Sequence, residues 1–347
     1  MRIFTYCLSV FCIFATGLPL IHSGYWWIRI FDYPRAQIAI VCLITLTLYY
    51  FYVGIRKKWQ SLWFVLLLVA LAYQLLLISK YTPLFPVQAK KGKGASEQQI
   101  FTIMEANIRM QNEQTGKFLQ LVYAYKPDIL VINEPNAWWA EELAPLNKMY
   151  AYSLKKPLEN TYGMMLYSNL PLKDTEINFL VEKGIPSMYA RVLLPTGEDF
   201  DLHCLHPKPP KPGSPTYERD TEILLVGKRI KQSDRPAIVV GDLNDVAWSY
   251  TSELFQRYSG LVDPREGRGL YNTYSVFVPL FRYPLDHFFY SAHFGLLTLH
   301  RLESIGSDHF PMLISLSYEP TQDHAKDLPE VDMEDKKSVE KKIKKGM

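Results

Sequence analysis

The sequence predicts a layered α/β domain preceded by three membrane-spanning helices. Three observations carry that prediction. Residues 3–21, 36–54 and 61–79 contain no charged side chain. Between 99 and 318, short apolar runs alternate with stretches of helical spacing. Polar residues able to bind metal or phosphate recur where those runs start or stop. Composition narrows the field further. With 48% hydrophobic and 14% aromatic residues in 347, the chain is not wholly disordered. Four cysteines exclude a disulfide-dense scaffold, and a net charge of +3 is too small to argue for nucleic acid by itself.

Each uncharged stretch is 19 residues, about 28 Å as a helix, close to the hydrocarbon thickness of a bilayer. Tyr25, Trp26, Trp27, Phe31 and Tyr33 fall between the first two stretches, where an interfacial aromatic belt sits, and Tyr49, Tyr50 and Tyr52 close the second. Buried core helices and, for the first stretch, a cleaved signal peptide are the competing readings. Soluble helices rarely repeat uncharged runs of this length, and no small-x-small cleavage site follows the first. The basic cluster Arg56-Lys57-Lys58 assigns the second connection to the cytoplasm, which sends the chain after residue 79 outside. Lys80, Lys90, Lys91 and Lys93 argue the other way.

The predicted organisation is therefore a membrane region at 1–79, a linker at 80–97, a globular domain at 98–318 and a charged, disordered tail at 319–347. Cys7, Cys12 and Cys42 lie in the apolar stretches. Cys204 is alone in the domain, so no disulfide forms there, and it reads as a small core residue.

Within the domain, residues 99–107 alternate as a strand. Phe118, Leu119, Val122 and Tyr123 share a helical face over 115–125, which Lys126-Pro127-Asp128 ends. A short buried strand at 129–132 follows. Further strands are expected at 162–167, 190–194 and 199–205, a helix at 221–231, a buried strand at 237–240, and last strands at 285–290 and 310–318.

Asn107, Glu134, His206, Asp242 and Asn244 stand at or just past the ends of apolar runs. Asp286 and His287 open another run, and Asp308 and His309 precede the last. Singly, each is an ordinary turn or cap residue. Together they are what metal-assisted phosphoryl chemistry needs. Carboxylates hold a hard cation, amides stabilise anionic oxygens, and an imidazole beside a carboxylate handles protons near neutral pH.

The order Asn107-Ile108-Arg109, Lys126 through Glu134, His206, Gly241-Asp242-Leu243-Asn244, Leu285 through Phe289 and Gly306 through Pro311 resembles the endonuclease/exonuclease/phosphatase superfamily. That superfamily includes pancreatic-type deoxyribonucleases, apurinic-site endonucleases, neutral sphingomyelinases and inositol-polyphosphate phosphatases. His206-Pro207-Lys208-Pro209-Pro210, with apolar stretches upstream, is similar to a bacterial subgroup anchored in the inner membrane. The resemblance implies a four-layer α-β-β-α sandwich of two mixed sheets flanked by helices. It also implies a phosphoesterase dependent on Mg²⁺ or Mn²⁺, in a bacterial inner membrane with its catalytic domain on the periplasmic side. Carried over by position, Glu134 is the principal metal ligand, with Asn107 and Asp308 at or near the metal. Asp242 orients or deprotonates water, or protonates the leaving oxygen. Asn244, His309 and His206 face the phosphate, and Asp286 fixes the His309 tautomer.

Beyond those motifs, Lys208 and Lys211 are candidates to clamp an anion, and Tyr217 and Arg219 to face phosphate. Tyr271, Tyr274 and Phe277 are candidates to stack a base, enter lipid or simply pack. The resemblance implies a phosphodiester or phosphomonoester as substrate. A nucleic acid and a phospholipid of the sphingomyelin type are the alternatives, and a non-catalytic tethered module is the least supported. The bilayer is the one partner the sequence implies, and it indicates no protein partner.

Overall fold

The computed structural model describes residues 1–94, 96–319 and 331–347. They form two compact units, residues 1–86 with 210–216, and residues 87–209 with 217–347. In the first unit, α1 (Arg2–Gly17), α3 (Arg35–Tyr52) and α4 (Lys58–Ser79) follow the apolar stretches, with a single turn of helix, α2 (Trp26–Arg29), between the first two. Three segments here, Arg2–Ile21, Arg35–Tyr52 and Lys58–Ser79, are long and apolar enough to cross a membrane. Their shared core is built from Cys12, Ala15, Ile38, Cys42, Tyr49 and Leu67. Polar side chains inside it are paired: Gln74 Nε2 donates to Thr16 Oγ1 at 2.9 Å, and Asp32 holds both Arg29 and Arg35 at 2.7 Å.

The second unit is a sandwich of two sheets. One has strand order β10-β11-β1-β2-β4-β3, from β1 (Ile100–Asn107), β2 (Ile129–Asn133), β3 (Tyr152–Lys156), β4 (Met164–Ser168), β10 (Phe294–Arg301) and β11 (Met312–Tyr318). The other runs β5-β6-β7-β8-β9, from β5 (Leu172–Asn178), β6 (Ser187–Leu193), β7 (Asp199–Cys204), β8 (Ala237–Asp242) and β9 (Asp286–Tyr290). Both sheets are mixed, with β1 parallel to β2 and β7 parallel to β8. Helices α5 (Thr115–Tyr125) and α6 (Ala137–Glu142) cover the first sheet, their Phe118, Val122 and Trp139 packing on Met104, Ala106 and Leu130. Helices α7 (Tyr217–Lys231) and α8 (Tyr250–Ser259) cover the second, through Ile223, Leu254 and Phe255. The expected four layers are present.

The seam between the sheets is the largest core. Side chains alternate between faces along a strand, so each strand sends one parity inward. On β1 this set is Phe101, Ile103, Glu105 and Asn107; on β8 it is Ile238, Val240 and Asp242; on β9 it is Asp286, Phe288 and Tyr290. At one end of the seam the inward set changes from apolar to polar. Cys204 lies in this core as expected, and burial pushes its thiol pKa up.

Two boundaries differ from the sequence reading. Part of the linker at 80–97 belongs to the domain. Gly92 N donates to Leu296 O at 2.8 Å, Leu296 N donates to Lys90 O at 2.9 Å, and Lys93 N donates to Glu319 Oε1 at 2.6 Å. Only a residue without a side chain fits there, because a Cβ on Gly92 would stand 2.9 Å from Gly295 O. The tail expected to be disordered from 319 contains α9 (Met333–Gly346), while residues 320–330 lie outside the described residues. Asp332 caps α9 through Asp335 N, and Val339 and Ile343 enter the core beneath α7. Lys342 Nζ meets Asp220 Oδ2 at 2.7 Å, and Arg257 grips Asp335 at 2.8 and 3.0 Å. Composition hid this helix because two apolar residues and a few distant ion pairs hold it. Lys342→Met takes one of two cationic partners from buried Asp220, leaving Arg219, and is expected to destabilise the domain by about 2 kcal/mol. Exposed Lys336→Met should be neutral, and thermal unfolding of the full chain compares the two.

Candidate active site

The polar end of the seam gathers residues from both sheets. Asp242 ends β8 directly opposite Asp286, which begins β9. Like charges facing across a ladder are destabilising. His309, from the loop before β11, relieves them. Its Nδ1 lies 2.8 Å from Asp286 Oδ2 and its Nε2 3.5 Å from Asp242 Oδ2. Ligand-capable atoms of these three residues all fall within 4.8 Å of one another. Burial pulls the imidazole pKa down, but Asp286 and Asp242 outweigh it and raise it to about 10. Asp286 is pushed up by burial and pulled down further by the adjacent His309, ending below the ordinary carboxylate range. The pair is therefore an imidazolium and a carboxylate at neutral pH. Burial and Asp286 push Asp242 up to about 6, against the pull of His309 and His206.

Asn107 joins the sheets. Its Nδ2 donates to Glu134 Oε1 at 3.0 Å and to Asp242 Oδ2 at 3.1 Å, while its Oδ1 accepts from Arg109 N at 3.0 Å. The amide orientation follows from its neighbours: two carboxylates require donors and one backbone N–H requires an acceptor. The sequence expectation placed Asn107 beside a metal. In the structure its oxygen faces backbone and its nitrogen links two carboxylates.

Glu134 leaves the end of β2 with φ +69, and its N donates to Gly163 O at 2.9 Å. A Cβ on Gly163 would meet Pro135 O at 1.8 Å, so glycine is required for this approach. Gly241 is equally constrained, with φ +140 and Leu205 O 2.0 Å from any Cβ. That is the physical reason for glycine in the Gly-Asp-Leu-Asn turn. Asn244 N donates to Asp242 Oδ1 at 2.9 Å and its Nδ2 to Pro207 O at 3.0 Å, tying the turn to the His206 loop. His206 Nε2 lies 3.7 Å from Asp242 Oδ2, and burial lowers its pKa, so it stays neutral. Ser307 fastens the last motif to β1. Its Oγ donates to Asn107 O at 2.7 Å and accepts from His309 N at 3.1 Å.

The structure thus brings Asn107, Glu134, His206, Asp242, Asn244, Asp286 and His309 into one linked cluster. Asp308 lies at its edge, beside Ser307 and close enough to raise the pKa of Glu134, which burial raises first. Glu134 and Asp308, half-buried carboxylates that repel each other, suit the oxygen-rich shell of a hard divalent cation. Asp286, by contrast, is occupied by His309.

Several neighbouring expectations change. Arg219 is buried and spends its guanidinium on Asn244 O at 2.6 Å and on Asp220 and Asp245, so it supports the turn from behind. Tyr217 accepts from Lys345 Nζ at 2.7 Å, and Lys208 pairs with Glu182 at 3.0 Å. Tyr274 packs its ring 5.0 Å from His309, while Arg109 lies over the exposed ring of Phe277 at 5.6 Å.

Sequence reasoning missed Glu105. It is fully buried beneath Asp286, with Oε1 accepting from Asn133 Nδ2 at 2.8 Å. Burial, Asp286 and Asp242 push its pKa well above the ordinary range, so it is a neutral acid. As a neutral acid it donates to Asp286, a side-chain hydrogen bond that raises the Glu105 pKa and helps lower that of Asp286. Its inward parity with Ile103 and Asn107 was the available signal. Glu105→Gln keeps a neutral donor and acceptor and is expected to change stability by less than about 1 kcal/mol, whereas Glu105→Ala costs about 2–3 kcal/mol. Chemical denaturation measures both. The His309 pKa is raised from 6.5 to about 10. Its stabilising contribution is therefore full below pH 6.5 and is lost as pH rises through 10. The stability difference between wild type and Asp286→Asn, measured by thermal unfolding across pH, should shrink over that window.

The fold has close counterparts. The human Nocturnin catalytic domain with bound sulfate aligns at 18% identity over 63% of this chain and 95% of its own, with TM-score 0.53. An endonuclease/exonuclease/phosphatase from Bacteroides vulgatus aligns at 18% over 63% and 99%, with TM-score 0.52. D. rerio TDP2 complexed with a single-strand DNA product aligns at 15% over 63% and 99%, with TM-score 0.51. At these identities the likeness is one of fold. None of the curated proteins matches the sequence. The endonuclease/exonuclease/phosphatase family model matches residues 104–309, from β1 to the imidazole of His309, and the chain belongs to that family.

Proposed function

We propose that this protein is a membrane-anchored, divalent-metal-dependent phosphoesterase. The observation that carries the reading is the hydrogen-bonded continuity from Glu134 through Asn107 to Asp242, with His309 beside Asp242 and bound to Asp286. Glu134 and Asp308 are the residues to hold a cation such as Mg²⁺ or Mn²⁺, which when bound neutralises charge on phosphate oxygens and lowers the pKa of water.

The chain's own groups divide the remaining work. Asp242 takes a proton from the attacking water at a carboxylate oxygen. Asn107 Nδ2 and Asn244 N hold that carboxylate in place. His309, kept cationic by Asp286, stabilises a phosphoryl oxygen through Nε2. His206, neutral and 3.7 Å from Asp242, is placed to donate a second hydrogen bond to phosphate. Asn244 bridges the His206 and Asp242 loops, and from there it is the residue to hold a further phosphate oxygen.

A lipid phosphodiester is the favoured substrate class. Phe277, Val278, Leu280 and Phe281 form an exposed apolar loop, and Val276 N in the same loop donates to Asp308 O at 2.8 Å. That places apolar surface beside the candidate phosphate pocket, and the three apolar helices give the chain a reason to work at a bilayer. The nuclease reading draws support from the TDP2 complex with single-strand DNA. In a bacterial cell, the basic cluster at 56–58 favours an inner-membrane protein with this domain outside.

Asp242→Asn and His309→Ala should each lower turnover of bis-p-nitrophenyl phosphate with Mg²⁺ by about 10²–10³-fold. Chelation by EDTA should abolish turnover in the wild type, and added Mg²⁺ should restore it. Wild-type rates in both variants would overturn the assignment. Parallel assays on sphingomyelin, phosphatidylglycerol, DNA and RNA decide the substrate class.

A further inference from the structure

The end of the first unit where α1 begins, α3 ends and α4 begins contains a cavity of about 780 Å³. Arg2, Arg56 and Lys57 line it together with Tyr6, Tyr52 and Trp59. No acidic side chain is among its described lining residues, and among the described residues no carboxylate pairs with its three cations. The cavity is shaped by specific contacts. Arg2 Nε donates to Tyr52 O at 2.8 Å, joining the start of α1 to the end of α3. Tyr6 stacks on Trp59 with ring centroids 5.9 Å apart, joining α1 to α4. Gln60 Oε1 accepts from Lys57 N at 3.0 Å, fixing the turn that carries the basic cluster.

Three cations gathered without a carboxylate repel one another, which favours an anionic occupant. The cavity is within the size range of small-molecule sites and larger than a lone phosphate requires. Tyr50 and Phe51 among its lining residues are exposed, so the cavity carries apolar surface beside its cations. A ligand with a charged head and an apolar tail satisfies both. Basic pockets between spanning helices on the positive side of a membrane bind anionic headgroups in this way.

We propose that this cavity binds the phosphate-bearing headgroup of an anionic phospholipid, as a site separate from the candidate active site. The inference rests on the reading of α1, α3 and α4 as membrane spans. The bound lipid would neutralise Arg2, Arg56 and Lys57 and hold the ends of the three helices together.

Native mass spectrometry of the full chain in detergent, titrated with phosphatidylglycerol or phosphatidylcholine, tests it. The wild type should retain phosphatidylglycerol at least about fivefold better, and Arg56→Gln and Lys57→Gln should each reduce that retention by about fivefold. Arg56→Lys, which preserves charge, should keep it and shows that a substituted turn still folds. Lys148→Gln with Lys183→Gln, outside the cavity, should change nothing. Equal retention of the two lipids, or undiminished retention in both glutamine variants, would overturn the proposal. Inorganic phosphate that displaces the lipid and loses binding in the same variants would overturn the lipid source in favour of free phosphate. A chain that stays dispersed without detergent would overturn the membrane reading itself, a result distinct from the others.

Discussion

The site depends on one side-chain amide. Asn107 sits at the last inward position of β1, and its nitrogen reaches a carboxylate from each sheet, Glu134 and Asp242. The apolar seam brings the sheets together without direction, since hydrophobic burial has no preferred geometry. The Asn107 fork adds direction by setting how the polar end of one sheet meets that of the other. A residue with a single donor would leave one of the two carboxylates, buried Asp242 or half-buried Glu134, without its bond, and for a buried group that loss costs more than the bond itself gains.

Electrostatics then follow from the strand register. Pairing β8 with β9 sets Asp242 opposite Asp286, and Glu105 approaches from beneath on the other sheet. Three acids in so small a dry volume cannot all be ionised. They divide the charge: Glu105 stays neutral, Asp286 is ionised against His309, and the Asp242 pKa is raised to about 6. Groups of one chemical type are thereby pushed to different protonation states, as acid–base chemistry near neutral pH requires.

Much of this was legible in the sequence. The buried strands at 129–133 and 237–242 are short unbroken apolar runs, and the polar residues that follow them gave the site almost complete. Edge strands β3 and β5 were not legible, because Lys155, Lys156, Lys173, Asp174 and Glu176 interrupt their alternation. Charge is common on edges, where it discourages pairing with other chains, and it also erases the pattern. Helix α9 was misread because its anchors, Asp220 and Arg257, lie more than seventy residues away in sequence. Glu105 was overlooked because a glutamate in an alternating strand reads as outward-facing unless the parity of its neighbours is followed through to Asn107. Arg219 shows the reverse case: a residue type suited to phosphate that the fold uses to brace a turn.

Arg109, Glu134 and Asn244 all hold left-handed backbone, with φ of +55, +69 and +51. Each is the point where the chain turns away from a strand end, and glycine would adopt the same conformation with less strain. The scaffold therefore carries a mechanical load at three corners of one pocket, balanced by the rigid interior between the sheets. Under the proposed function, drift toward glycine at Glu134 or Asn244 would relax the backbone and remove a site side chain in one change, so thermal robustness and catalytic competence would pull against each other at those peptide units.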